Sequence, residues 1–374
     1  MPIPVNTAGL LVGHRNVLRT EGGGVQACAR EYVSALEAAG FRLRSIPFEF
    51  RTSVGTRVWR RLLPPASNVP APARLIEAIE SGLRHDDART VFFAFNLFSE
   101  VSREMRRLFP KVRQVLLSYG VESLDSMLAE QLARRCGRTR RFRAAAEWKL
   151  GRQLLEEAEQ RRWIDAVLTL SPLEVEVEKW LGTSRVFRVP RIILEPPLQP
   201  KPVDGRVGCV STLNHPPNLD GLLRLFDALE RVSPDALNFR LVGQPEKDGI
   251  ALAARYPFVD YLGPLSDGEL RREAATWCCF VHPLFVYAKG CSTKLATGIG
   301  WGLPIATTDP GARGYDWLRE MLPLPSSPEG LAQLVVERSR AESFERLAGQ
   351  TSAVRAAAPS LAAVGAAVRE FLAP

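Results

Sequence analysis

The sequence predicts an α/β protein made of two doubly wound parallel-sheet domains. Three observations carry this. Short apolar runs alternate with segments of helical spacing from end to end. The 374 residues suit two cores better than one. Prolines gather near the middle, at Pro190, Pro196, Pro197, Pro200 and Pro202, as in an interdomain joint. The expected division is a first domain over 1–198, a second over 199–350, and a terminal helical segment over 351–374.

The elements follow in order. The run Gly9-Leu-Leu-Val-Gly13 reads as a first strand, followed by a loop to Gly24. Val25, Cys28, Ala29, Tyr32, Val33, Leu36 and Ala39 share one helical face, and Gly40 stands where a helix commonly stops. Strands are predicted over 41–46, 90–95, 114–118 and 165–170, the last just before Ser171-Pro172, which opens a helix with proline at its first position. Beyond the joint, 208–211, 238–243, 259–263, 278–281 and 305–306 form a second strand series. Alternation of this kind implies parallel sheets with crossover helices. The tail carries Val354, Leu361, Val364, Val368 and Leu372 at helical spacing.

Composition narrows the function classes. No run of about 18 apolar residues occurs, which argues against a bilayer-spanning helix. The opening Met1-Pro-Ile-Pro-Val-Asn6 lacks a basic stretch leading into an apolar one, so a cytoplasmic protein is expected. Cys28, Cys136, Cys209, Cys278, Cys279 and Cys291 show no CxxC and no pairing with histidine, which fits free thiols and no metal site. The net charge of +8 is uneven. Residues 134–152 hold Arg134, Arg135, Arg138, Arg140, Arg141 and Arg143 with Phe142 and Trp148 interleaved. Such a segment suits an anionic membrane surface, and equally a solvated face balanced by Glu156, Glu157 and Glu159. No nucleic-acid-binding motif accompanies it.

Five motifs carry chemistry. Lys294-Leu-Ala-Thr297 begins a helix that ends at Gly302-Leu-Pro304, before a short strand and a loop reaching Gly311. A helix start beside a lysine receives anions, because its N–H groups and dipole add to the full charge. An ordinary αβ unit with one chance lysine reads the same way. Before it, His282-Pro-Leu-Phe-Val-Tyr-Ala-Lys289-Gly290-Cys-Ser292-Thr293 brings hydroxyls and a second lysine, a set suited to a diphosphate. Glu21-Gly22-Gly23-Gly24-Val-Gln26 lets backbone approach a ligand at the first helix, or is merely a flexible βα loop. Leu117-Ser-Tyr119-Gly-Val-Glu122-Ser123 sits at a strand end, where open sheets place ligands, and Glu122 equally suits a helix dipole. Ser211-Thr-Leu-Asn214-His215-Pro-Pro-Asn218-Leu-Asp220-Gly221 follows the first strand of the second series, with Asn218 positioned to cap a helix.

Taken in order, these motifs resemble the GT-B glycosyltransferases of retaining family 4, the glycosyl transferases group 1, over roughly residues 9–320. Lys294, Gly302, Pro304 and Gly311 match that pattern, Thr297 replaces its usual Glu, Tyr119 replaces its usual His, and Tyr287-Ala-Lys289 alters its loop. The resemblance implies two Rossmann-like domains facing a cleft, with a C-terminal helix packing back on the first. It implies a metal-independent transfer of a hexose from a UDP- or GDP-linked sugar to a carbohydrate or lipid-linked acceptor, without a cofactor, in polysaccharide or glycoconjugate synthesis. The implied donor-binding residues are Gly22, Gly23, Gly24, Ser211, His215, Gly243, Lys289, Gly290, Ser292, Thr293, Lys294 and Thr297. Lys294, Glu122 and Tyr119 are the implied catalytic residues. An inverting enzyme would instead need a base, for which Glu21, Glu122 and Asp125 are the candidates. The missing Glu and His also fit a degenerate GT-B protein that partners an active transferase, and a sugar-nucleotide epimerase shares the fold. The basic segment adds an expected peripheral attachment to the inner membrane face.

Overall fold

The structure, a computed structural model, describes residues 6–19, 22–49, 71–94, 99–135, 140–232 and 237–373, without the side chains of 133–135 and 140–143. In chain order its elements begin with β1 (Thr7–His14), α1 (Gly24–Ala38), β2 (Phe41–Phe48), α2 (Ala73–Asp86), β3 (Thr90–Ala94) and α3 (Ser99–Leu108). Next come β4 (Arg113–Leu117), α4 (Glu122–Arg135), α5 (Arg140–Arg161), β5 (Ala166–Thr169), α6 (Pro172–Trp180) and β6 (Val186–Arg188). Then follow β7 (Arg206–Thr212), α7 (Pro216–Val232), β8 (Asn238–Gln244), α8 (Glu246–Arg255), β9 (Val259–Gly263) and α9 (Asp267–Ala274). The chain finishes with β10 (Cys279–His282), α10 (Thr293–Trp301), β11 (Ile305–Thr307), α11 (Pro328–Arg338), α12 (Phe344–Ala357) and α13 (Leu361–Phe371).

The chain divides into two compact units. Unit 1 is Met1–Pro190 with Lys289–Cys291 and Pro359–Pro374, and unit 2 is Arg191–Ala288 with Ser292–Ala358. Each unit holds one parallel sheet, ordered β2-β1-β3-β4-β5-β6 in unit 1 and β11-β10-β7-β8-β9 in unit 2. All residues of β3 and β5 are buried, as central parallel strands covered on both faces must be. Phe93, Leu116, Val167, Ile79 and Met105 share the unit 1 core. Phe226, Phe239, Leu241, Val281 and Leu331 share that of unit 2. Burying a side chain of this size is worth roughly 1.5–3 kcal/mol.

The predicted strands appear with ends shifted by a residue or two. β6 is an addition: no strand was expected at Val186–Arg188, just before the first proline of the joint. Phe95, expected to end the third strand, lies outside the described residues. The proline-rich stretch is also more ordered than a free joint. Unit 1 ends at Pro190, not 198, and the following residues pack on unit 2. There Lys201 N–H donates to Ala275 O at 2.6 Å and Leu198 N–H to Trp301 O at 3.0 Å.

The tail is two helices, not one. Pro359 lacks the N–H that would continue α12, so the chain breaks there. The stretch Ala341–Phe371 has a mean hydropathy of 1.2 in its most apolar window, enough by length and composition to cross a bilayer. That break and the assignment of its halves to different units argue against a continuous span. α12 buries Leu347 and Val354 in unit 2, and Arg355 donates to Gly300 O and Glu195 O at 3.2 Å each. α13 packs on α1 in unit 1. Gly365 allows this approach, because a Cβ there would lie 2.6 Å from Ala38 Cβ. Arg369 Nε donates to Ala39 O at 2.8 Å, and Phe371 stacks on Phe187 with centroids 5.2 Å apart.

Candidate functional site

In an open α/β sheet the ligand crevice forms where strand order reverses, at the C-terminal strand ends. In unit 2 that point lies between β7 and β10. Three predicted residues meet there or beside it. Lys294, in the first turn of α10, donates from Nζ to Ser211 Oγ at 3.5 Å, joining α10 to the end of β7. Ser211 pairs in register with Gly243 of β8. Gly243 has φ +151°, and a Cβ there would sit 1.7 Å from Ser211 O, so only glycine fits. Desolvation lowers the Lys294 ammonium to about 8, with Arg313 adding to the shift and the Cys209 thiol opposing it. Lys294 is thus a cation short of water and of negative charge.

His282, at the end of β10, is buried and lies beside this group. Its Nδ1 is 3.1 Å from Thr307 Oγ1 and its Nε2 is 2.9 Å from Ser292 Oγ. Burial, with Lys294 and Arg313 nearby, holds the imidazole well below its usual range, so it is neutral. Gly311 closes over it: a Cβ there would meet Thr307 Oγ1 at 2.4 Å and His282 Nδ1 at 3.0 Å. The neighbouring acid, Asp309, accepts from Tyr287 at 2.5 Å and pairs with Arg319. Those bonds hold its carboxyl below the ordinary range, the Tyr287 bond most of all.

Other predicted residues in unit 2 are engaged differently. Thr297 Oγ1 donates to Thr293 O at 3.1 Å within α10. His215 precedes α7 and accepts through its carbonyl from Asn218 and Leu219 at 3.0 Å each. Asn218 does not cap; its side-chain amide donates to Thr212 O at 3.0 Å.

In unit 1 the reversal lies between β1 and β3, beside the exposed glycines Gly22, Gly23 and Gly24. Gly23 is the N-cap of α1, which no side chain caps. Gln26 Nε2 ties the loop down by donating to Asn16 O at 2.7 Å. Glu21 lies outside the described residues.

The strand end after β4 is organised by buried acids. Glu157 accepts from Glu122 N–H at 2.6 Å and from Ser123 N–H at 3.3 Å. Glu174 accepts from Gly290 N–H at 2.6 Å, Val121 N–H at 3.3 Å and Thr169 Oγ1 at 3.2 Å. Glu178 takes two bonds from Arg161, at 2.7 and 2.8 Å, in a pair with no exposed side-chain surface. Lys289 joins this unit: its Nζ is 2.6 Å from Glu122 and 3.7 Å from Asp125. Lys289 and Gly290, expected beside Lys294, are therefore bonded to the acids of unit 1. Tyr119 packs edge-on against Tyr32 with centroids 5.5 Å apart, and burial pushes its hydroxyl far above the ordinary phenol range.

Sequence reasoning assigned no role to His282, Arg313 or Glu174, and it read Glu157 as an acid balancing a solvated face, whereas Glu157 is buried and bonded to backbone. His282 lies inside one of the five motifs but gave no spacing signal, and Arg313 lies just beyond another. The acids come from helices whose inward face only folding reveals. Among the described residues, no group of three His, Cys, Asp or Glu gathers as a metal site would. Five cysteines are free and buried; Cys136 lies outside the described residues.

Residues 204–338 match the family model described as glycosyl transferases group 1. A search among curated proteins finds no match. Among solved structures, an O-GlcNAc transferase mutant from Thermobaculum terrenum superposes with a TM-score of 0.58 at 16% identity, over 99% of this chain and 68% of that one. Anabaena HepE, solved with UDP and glucose, gives 0.57 at 13% identity, over 97% and 98% of the two chains. A glycosyltransferase from Rickettsia africae gives 0.60 at 12% identity, over 98% and 97%. At such identities these likenesses speak for the fold alone.

Proposed function

Taking as premise that this chain has the GT-B glycosyltransferase fold and that residues 204–338 form a group 1 glycosyl transferase domain, we propose a specific activity. The chain moves a hexose from a nucleoside diphosphate-sugar, UDP- or GDP-linked, to a carbohydrate or lipid-linked acceptor, with retention and without a metal. The observation that carries this reading is Lys294, desolvated at the first turn of α10 and at the strand reversal of unit 2.

A departing nucleoside diphosphate gains negative charge as the glycosidic bond breaks. A fixed cation and helix-terminal N–H groups stabilise that charge most in the transition state. Lys294 supplies the cation, and Arg313 lies near enough to depress its pKa. The partly buried setting strengthens the attraction relative to water. The Anabaena HepE structure, which contains UDP, supports the choice of donor class. Glu122 and the exposed glycines 22–24 are proposed for the acceptor side of unit 1.

A second reading rests on Thr297 and Tyr119. The Thr297 hydroxyl donates within its own helix and the Tyr119 ring is buried against Tyr32, at the positions where the resembling family carries Glu and His. On that reading the chain binds a nucleotide without turning it over and partners an active transferase. One titration followed by one assay separates the two. UDP, GDP, ADP and TDP are titrated calorimetrically into wild type and Lys294→Ala, and release of the diphosphate from UDP- and GDP-sugars is then assayed with oligosaccharide and lipid-linked acceptors. Lys294-dependent binding with turnover supports the enzyme. Binding without turnover supports the partner role. Turnover undiminished in Lys294→Ala sinks the proposed mechanism.

Peripheral attachment to the cytoplasmic face of a membrane is also proposed. Trp148 and Leu155 of α5 are 69% and 60% exposed, next to the basic segment. Residues 136–139 of that segment, with the side chains of Arg134, Arg135, Arg140, Arg141, Phe142 and Arg143, lie outside the described residues. Equal retention on neutral and anionic vesicles would rule this attachment out.

A further inference from the structure

Among the described residues, serines stand at six helix N-caps; Ser266, Ser327 and Ser360 cap with their side chains, whereas Ser171, Ser292 and Ser343 do not, and Ser292 is bonded instead to a buried histidine. Ser266 accepts from Glu269 N–H before α9, in a reciprocal capping box. Ser327 accepts from Gly330 N–H at 3.1 Å before α11, and Ser360 from Ala363 N–H at 3.2 Å before α13. Ser292 holds the same position before α10, with extended backbone (φ −69°, ψ 117°), yet makes no capping bond. Its hydroxyl lies 2.9 Å from His282 Nε2, and its carbonyl accepts from the Tyr315 hydroxyl.

The direction of the serine–histidine bond follows from the third member of the chain. Thr307 Oγ1 donates its single proton to His282 O at 3.0 Å. It must therefore accept from His282 Nδ1, 3.1 Å away, so Nδ1 carries the ring proton. The imidazole is neutral, which leaves a lone pair on Nε2. Ser292 O–H is the donor to that lone pair. The serine's only proton is committed to His282, and its oxygen accepts no bond from the first turn of α10.

We infer that His282 is a positioning residue for the anion site: by holding the Ser292 hydroxyl, it keeps the N-terminal N–H groups of α10 for the diphosphate of the donor instead of for a serine cap. This rests on the donor-binding reading of Lys294 above. Released from His282, Ser292, whose backbone is extended like that of Ser266, Ser327 and Ser360, would be free to cap as they do, and its cap would compete with the ligand for the same N–H groups. The inference also changes the part expected of Ser292. Its hydroxyl does not donate to the phosphate.

The test measures affinity for whichever of UDP, GDP, ADP and TDP binds wild type. His282→Asn keeps an amide facing Thr307 and removes the Nε2 acceptor; it is expected to weaken binding about tenfold, the size of a helix cap. His282→Gln, whose carbonyl reaches the Nε2 position, is expected to restore affinity to within about threefold of wild type. The deciding variant is His282→Asn with Ser292→Ala, which removes the competing cap and should regain most of the affinity lost in His282→Asn. Thermal unfolding of each preparation verifies folding, and if His282→Asn does not fold, the comparison is made from His282→Leu with and without Ser292→Ala. If the double variant binds as weakly as its single histidine variant, His282 does not act through Ser292 and the inference falls alone. If wild type binds none of the four nucleotides, the donor reading falls and takes the inference with it.

Discussion

The two units share an architecture and differ in how they use the donors at their strand ends. Beyond β4 and β5 in unit 1, backbone N–H groups of Val121, Glu122, Ser123 and Gly290 are taken by the carboxylates of Glu157 and Glu174. Lys289 and Arg161, the cations beside them, are bonded to Glu122 and Glu178. Beyond β7 and β10 in unit 2 stand Lys294, Arg313 and a neutral His282, and Asp309, in the loop after β11, is tied to Tyr287 and Arg319. An anion approaching the first group meets carboxylates that already hold the available donors. At the second it meets an under-solvated ammonium. The C-terminal strand ends of the two units thus differ in the sign of their local charge, which in unit 1 satisfies backbone donors and in unit 2 suits the anion binding proposed above.

The comparison can be broken at its strongest point. Glu178→Ala removes the carboxylate that takes two bonds from the buried Arg161 guanidinium, and is expected to cost about 3–5 kcal/mol of stability. Chemical denaturation measures it, and a loss below about 1 kcal/mol would mean that the unit 1 acids do not hold that unit together.

Next in size is Lys294→Ala. Nucleoside diphosphate affinity should fall about 10- to 100-fold, as for the loss of one charged hydrogen bond. Turnover should fall about 10²–10³-fold. The melting temperature should not fall, because a desolvated cation has been removed. A destabilised variant with intact affinity would reverse the contrast between the units.

pH sharpens the same point. Lys294 titrates at about 8 in the folded protein, below its ordinary 10.5. The anion needs the protonated form, so affinity should be greatest below pH 8 and weaken as pH rises through it, and Lys294→Ala should abolish that dependence. For stability the sign is opposite. Between about 8 and 10.5 the unfolded chain binds more protons at this lysine, so its contribution favours the folded state increasingly as pH rises. Calorimetry at pH 7 and 9 checks the first statement, and denaturation over the same range the second.

The smallest effect is expected at Lys289. Its ion pair is partly exposed, so Lys289→Ala should change stability by less than about 1 kcal/mol. Its effect on nucleotide affinity should be at least about tenfold smaller than that of Lys294→Ala. Equal effects would show that the Glu122 pair does not account for the role of Lys289.

Much of the fold was legible because burial on both faces demands continuous apolar strands such as Val91-Phe-Phe-Ala94 and Val115-Leu-Leu117. Lys294 was legible because a lysine, small residues and a Gly-Pro turn are adjacent in the chain. Glu174 was not. It lies on α6 between apolar residues, and only the packing of that helix aims it at Gly290, over a hundred residues away. His282 stood in view within a quoted motif, but its role depends on Thr307 and Ser292 meeting it from two other elements.

By itself the sequence determined the alternation of strands and helices, the parallel sheets that alternation requires, and the lysine at the mouth of α10. Those features follow from local spacing, which a linear chain displays directly. Tertiary structure alone decided that Lys289 pairs with Glu122, that the tail breaks at Pro359 and divides between the units, and that Ser292 bonds His282 instead of capping its helix. The physical reason is the same in each case. A hydrogen-bonding group far from its partner in sequence has several local options, and the choice among them is made by whichever buried partner the packed fold brings within 3 Å.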